Sequence, residues 1–235
     1  MGKLIELYSP KPFSITNKTE TTAEILLYGE IGENWDGTGI TALKFTEELK
    51  KIPASVKNID IRINSFGGSV FEGMVIYTRL KEHKAKKTVY VDGLAASIAS
   101  VIAMSGDEIV MGDGSFIMIH KPISGVRGNA HEMERMIGIL DKIEEQMITI
   151  YSKKTKMSRA ELSSMLDAET WIPCEECMKL GMADRQIEAK ETLYLVASAF
   201  EKGSKFFKNA PKIKTTSDIA KEKLSNLLQT IEGKK

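Results

Sequence analysis

Over residues 58–64, Ile59, Ile61 and Ile63 alternate with Asn58, Asp60, Arg62 and Asn64. That period of two predicts a strand. Short apolar runs at 23–31, 88–91, 108–111 and 116–119 predict further buried strands. Between these runs the period lengthens. Ala42, Phe45 and Leu49 predict a helix over 40–51. Val70, Met74, Ile76, Tyr77 and Leu80 supply the buried side of one over 69–83, and the small and apolar residues 95–104 read as a third. Alternating strand and helix patterns predict an α/β layered fold with largely parallel strands.

The second half of the chain is mainly helical in pattern. Met133, Met136, Ile137, Leu140, Ile143, Met147 and Ile150 fall at steps of three and four. They predict one long helix, extended enough to protrude from a small sheet or to serve as an oligomer contact. Ser158-Arg159-Ala160-Glu161 has the form of a capping box and opens a helix over 158–166. A last helix, 174–180, stops at Gly181. Residues 1–21 are polar and turn-rich and read as an irregular arm. Residues 22–190 read as the folded domain, and 191–235 as an extension. From Phe200 onward nine lysines face four acidic residues, with one weak helix pattern at 217–231. This tail reads as a mobile or partner-docking extension, or as a solvated and dispensable one.

Composition narrows the function classes. Apolar residues make up 42% and charged residues 28%, as in a soluble globular domain, and the net charge of +1 argues against nucleic-acid or membrane partners. The apolar stretch 94–104 is too short to span a bilayer. The first residues lack a secretory signal, and Glu6 spoils a myristoylation motif, so the expected location is the cytoplasm. The two cysteines, Cys174 and Cys177, lack the further ligands a zinc site requires, and they read as one small apolar helix face. No metal and no cofactor is expected. Gly37-Thr38-Gly39-Ile40-Thr41-Ala42 matches G-x-G-x-x-A, but residues 32–36 separate it from the preceding strand. It reads as a helix entry rather than a nucleotide site.

Three loops at strand ends carry candidate chemistry. Asn64-Ser65-Phe66-Gly67-Gly68-Ser69 holds a glycine pair that lets a backbone amide approach a bound group. Gly93-Leu94-Ala95-Ala96-Ser97 puts Ser97 at a helix start, where unpaired amides favour a developing negative charge; the plain alternative is an N-cap serine. Ile117-Met118-Ile119-His120-Lys121-Pro122 ends an apolar strand on His120. Of the three histidines, His83 and His131 read as solvated surface, so His120 is the candidate general base. Serine, histidine and a glycine-gated amide make an acyl-transfer set. Asp167 or Glu169 is the candidate third member.

These motifs, in this order and spacing, resemble the proteolytic subunit of the Clp protease. Thr170-Trp171-Ile172-Pro173 and Leu180-Gly181-Met182-Ala183-Asp184 resemble that family's closing block, so the likeness covers about 22–188. Leu27-Tyr28-Gly29-Glu30-Ile31, Val70-Phe71-Glu72-Gly73 and residues 99–108 resemble its phage and prophage branch, the head maturation proteases of peptidase family S14. The resemblance implies a crotonase-like ββα spiral with residues 128–155 as a protruding handle helix. It implies Ser97 as nucleophile, His120 as base, and the amides of Gly68 and Ile98 as the oxyanion hole. A gap-free count back from Gly181 puts Glu169 on the family's acid, with Asp167 two residues away. It further implies a homo-oligomeric ring, heptameric or paired into a tetradecamer, acting on polypeptide. The substrates would be phage capsid or scaffold proteins in host cytoplasm or procapsid, with an AAA+ unfoldase or a portal or capsid protein as further partner. Phe66 stands where the family usually has proline, at the wall of the substrate groove. The other readings are a housekeeping ATP-dependent Clp subunit, an acyl-CoA-handling crotonase-like enzyme, or an inactive structural subunit.

Overall fold

The computed structural model describes residues 12–34, 37–188 and 207–211. Eight strands and six helices are defined among them. In chain order they are β1 (Phe13–Asn17), β2 (Thr22–Leu27), α1 (Ala42–Leu49), β3 (Asn58–Ser65), α2 (Val70–Glu82), β4 (Lys86–Ala96), α3 (Ile98–Ala103), β5 (Glu108–Gly112), β6 (Phe116–Ile119), α4 (Ala130–Ser152), α5 (Arg159–Asp167), β7 (Thr170–Pro173), α6 (Cys174–Leu180) and β8 (Arg185–Ile187). The fold is the mixed α/β layering that the hydrophobic pattern predicts.

The order β1-β2-β3-β4-β5-β8 forms one sheet, with β6 joined to β4 and β7 joined to β6. Pairings β2 to β3, β3 to β4, β4 to β5, β4 to β6 and β5 to β8 are all parallel. Ile25, Ile61 and Val89 lie side by side across β2, β3 and β4, each fully buried. Phe45 from α1 and Ile76 and Leu80 from α2 are buried in the same core. Such parallel strands, covered by helices, are expected to be apolar runs.

β4 is the organising element. Its first half pairs with β5, Thr88 opposite Glu108 through Val91 opposite Met111. Its second half pairs with β6, Leu94 opposite Phe116 and Ala96 opposite Met118. The strand is longer than its apolar pattern predicts, and the helix expected over 95–104 begins only at Ile98. Ala95 is instead a sheet residue, opposite both Ser65 and Ile117. Asp92 hid this continuity in the sequence. It is buried mid-strand, where Arg62 forms an ion pair with it and the Tyr28 hydroxyl donates to it at 2.5 Å. Paired in this way, a charge can sit inside a strand.

Other differences have equally local causes. Residues 13–17, expected to be irregular, form β1 antiparallel to β2, with Phe13 opposite Leu27. Only Phe13 and Ile15 in that strand are apolar, too few to show a period. β7 and β8 are also short and lie beside neighbours that supply the ladder. His83 is half-buried rather than solvated; its Nδ1 accepts from the Ala85 N–H at 3.1 Å where the chain turns into β4. His131 is exposed, as expected.

The long helix α4 is buried only at its end, through Met147, Ile148, Ile150 and Tyr151. Its first part projects, exposing Met133 and Ile137, which is the handle of the expected fold. Ser158 caps α5 in a full capping box. Gly181 ends α6 at a left-handed φ of 77°. Cys174 and Cys177 are free and buried on α6, and burial pushes both thiols up, Cys177 strongly. Protonated buried thiols are inert packing groups. The Gly37–Ala42 stretch enters α1: the Gly39 N–H donates to Asn34 at 2.8 Å, and Thr41 caps the helix. The 217–231 helix pattern lies outside the described residues. No helix among the described residues is long and apolar enough to cross a membrane.

Candidate active site

The carboxyl ends of β3, β4 and β6 converge on one edge of the sheet, where ligands of open parallel sheets bind. Parallel pairing sets Ala96 opposite Met118, and the Ser97 N–H extends that ladder to the Met118 carbonyl at 2.9 Å. His120, two residues past Met118, is thereby delivered beside Ser97. Its Nε2 lies 2.7 Å from Ser97 Oγ.

Ser97 stands at the N-cap position of α3 but does not act as a capping serine. Its side chain makes no capping bond, and its backbone sits at φ 55° and ψ −129° between β4 and α3. That conformation costs a residue with a side chain about 1–3 kcal/mol. A strained strand-to-helix turn that presents a serine hydroxyl is the architecture of a nucleophile elbow.

The β3 loop closes over this turn. The Ile31 N–H donates to the Gly67 carbonyl at 2.8 Å, and the Ser69 N–H donates to the Ile31 carbonyl at 2.7 Å. The Gly67 carbonyl and the Gly68 N–H belong to one trans peptide group and point to opposite sides of it, so the Gly68 N–H faces away from Ile31. The Ile98 N–H opens α3 and is one of the amides that a helix cannot use internally. The two loops touch at Gly67. There φ is +96°, and a Cβ would lie 2.7 Å from Ser97 Cβ and 3.2 Å from Ile98 N. Gly67→Ala is therefore expected to displace the Gly68 amide; with that amide in the oxyanion role the resemblance implies, turnover is expected to fall by about 10²–10³. Steady-state hydrolysis of a peptide amide checks this, and wild-type turnover would contradict it.

Antiparallel pairing of β6 with β7 puts Ile119 opposite Thr170, which brings Glu169 level with His120. Asp167 is at the end of α5, exposed, with its carboxylate 2.9 Å from Lys121 Nζ. Register sets Glu169 next to the histidine, with its carboxylate accepting from the backbone amides of Lys208 and Asn209, while Asp167 pairs with Lys121 at the surface. Burial holds the His120 imidazole below its ordinary pKa, and the charge of Glu169 acts in the opposite direction. A general base must be neutral, so the acidic limb of kcat/KM is expected below pH 6.5, the ordinary value of histidine. Glu169→Gln removes the raising influence and should move that limb lower still.

A cleft of about 190 Å³ opens on Ser97 and His120, walled by Phe66, Val70, Pro122 and Ile123. Phe66 therefore stands in the groove wall, where the resemblance puts it. One lining residue was not foreseen. Phe207 packs edge-on against His120, with ring centroids 5.6 Å apart, and likewise against Trp171. The only hint in the sequence was an aromatic pair, Phe206-Phe207, within a lysine-rich stretch.

Comparison with known proteins gives the family. The family model described as Clp protease matches residues 9–190. A protein of Deinococcus radiodurans named "ATP-dependent Clp protease proteolytic subunit" is 31% identical over 134 residues, covering 56% of this chain and 66% of the relative. One of the same name from Bacteroides fragilis is 30% identical over 136 residues, with 57% and 66% covered. Another, from Bacteroides thetaiotaomicron, is 29% identical over 136 residues, with 57% and 62% covered. The chain thus spans just under two thirds of the length of the curated relatives it matches.

Proposed function

The chain belongs to the Clp protease family, and from that premise we propose that it is a serine endopeptidase acting on polypeptide. The observation that carries this reading is the 2.7 Å contact between Ser97 Oγ and His120 Nε2, made by a serine held in a strained turn. His120 Nε2 takes the hydroxyl proton as Ser97 Oγ bonds to the scissile carbonyl carbon. The carbonyl oxygen becomes an oxyanion on the N–H groups of Gly68 and Ile98. Collapse breaks the C–N bond, and His120 returns the proton to the leaving amine. Water, deprotonated by the same nitrogen, then hydrolyses the acyl-serine and frees the hydroxyl. Glu169 orients the ring and stabilises the imidazolium.

Glu169→Gln is expected to lower kcat on the order of 10³–10⁴-fold, the scale of losing a triad acid. Asp167→Asn should change it less than about fivefold, because an exposed ion pair contributes little. The opposite ranking would transfer the role to Asp167.

In this reading the working form is a homo-oligomeric ring. A groove of about 550 Å³ between α2 and α4, with Phe71 and Ile139 exposed beside it, supports burial of that face between copies. The substrates we favour are capsid or scaffold proteins of a phage head, cleaved in the host cytoplasm or procapsid, on the strength of the wording of residues 27–31, 70–73 and 99–108. The names of the relatives favour a second reading, a housekeeping subunit fed by an AAA+ unfoldase. Incubating the purified protein with a folded, tagged substrate, with and without such an unfoldase and ATP, and separately with capsid and scaffold proteins, tests the choice. ATP-independent cleavage of capsid or scaffold supports the first. Degradation only with unfoldase and ATP supports the second. Ser97→Ala is the control in both arms.

A further inference from the structure

One wall of the candidate cleft comes from outside the folded domain: Phe207 lines it beside Ser97 and His120. Residues 207–211 lie across the convergence of β4, β6 and β7, and two independent sets of contacts hold them there. The first is apolar. Phe207 and Ala210 both pack on the buried cluster of Leu94, Ala96 and Met118, with Phe66 and Trp171 beside them. The Phe207 ring forms part of the cleft lining and meets the edges of both His120 and Trp171. The second is polar. The Asn209 N–H donates to Glu169 Oε1 at 2.6 Å, and the Lys208 N–H donates to Oε2 at 3.1 Å. The Asn209 side-chain amide donates to the Ala168 carbonyl at 3.0 Å.

Two consecutive backbone amides on one carboxylate hold the segment in a bend, and an aromatic ring in a mostly apolar pocket is how such sites take up a side chain. Both oxygens of Glu169, the acid of the proposed triad, receive tail amides. The Phe207 ring covers the imidazole that must receive the proton. We propose that residues 207–211 are a tethered occupant of the active-site cleft, competing with polypeptide substrate and holding the site in a covered state. This inference rests on the reading of Ser97, His120 and Glu169 as the reactive set. It follows that the pocket beside His120 accepts a large aromatic side chain. Because the tether makes binding intramolecular, even weak contacts keep the segment in place at a high effective concentration.

The test uses the full chain and two tail variants, Phe207→Ala and Asn209→Pro. The first removes the ring, and the second removes the amide on Glu169 Oε1. Neither residue belongs to the sheet or its helices. A fluorescein-labelled peptide carrying the sequence of residues 204–213 is titrated into each chain and followed by anisotropy, a readout independent of Ser97 chemistry. The labelling rate of Ser97 by a fluorophosphonate is measured alongside. The expected result is peptide binding at least about fivefold tighter to both variants than to the wild type, with Ser97 labelling accelerated to a similar degree, since a tethered competitor has been released. Equal affinities, or no peptide binding to any chain, would overturn the tethered-occupant inference; equal labelling rates would show that the segment does not cover the serine. Tighter peptide binding with no labelling of Ser97 in any chain would instead overturn the reactive serine and leave the peptide site standing.

Discussion

Ser97→Ala will lower peptide-bond turnover on the order of 10⁶-fold, because the acyl-enzyme route disappears with the hydroxyl. The fold will persist. Ser97 Oγ contacts His120 and contributes no helix cap, so its removal leaves the core intact. A companion substitution separates chemistry from strain. Ser97→Gly is equally inactive, yet it should be about 1 kcal/mol more stable than Ser97→Ala, because glycine occupies φ 55° without a Cβ penalty. Denaturant unfolding of the two inactive variants measures that difference. Equal stability would mean that the turn at Ser97 stores no strain.

His120→Ala is expected to cost a similar factor, on the order of 10⁶. Without an adjacent base a serine hydroxyl is a poor nucleophile at neutral pH. The two losses should not add. The double variant Ser97→Ala with His120→Ala should be no slower than either single variant by more than about tenfold, as expected for residues that act as one unit. Hydrolysis of an activated ester gives the range needed to see the residual rates. Multiplicative losses would mean that the two side chains contribute separately, and the relay from Ser97 to His120 would fail.

Most of the architecture that positions these groups was legible in the sequence. The Ile59, Ile61, Ile63 alternation became β3, and the apolar run before His120 became β6. Elements buried on a continuous face write their own period. β1, β7 and β8 did not, because each is short and borrows its order from a neighbouring strand. The Asp92 charge concealed that β4 runs on to Ala96, since its compensation by Arg62 and Tyr28 comes from residues distant in sequence.

The site divides in the same way. Ser97 and His120 could be picked out because a strand-end histidine and a helix-start serine are local patterns. Counting back from Gly181 favoured Glu169 but left Asp167, two residues away, as an alternative. Strand register, Ile119 opposite Thr170, sets Glu169 next to the histidine, which supports the proposed role of Glu169. For Phe207 the sequence held only an aromatic pair in a lysine-rich stretch, with nothing to say what it meets. Its contact with His120 is a tertiary one, between residues 87 apart in sequence.

Covalent capture shows whether the Ser97 hydroxyl is activated. Purified protein is treated with a fluorophosphonate and digested, and the adduct is located by mass spectrometry, with Ser97→Ala and His120→Ala run in parallel. The account predicts a single adduct on Ser97 that is lost in both variants. An unlabelled Ser97 in intact, folded protein, or an adduct that persists at full rate in His120→Ala, would contradict it.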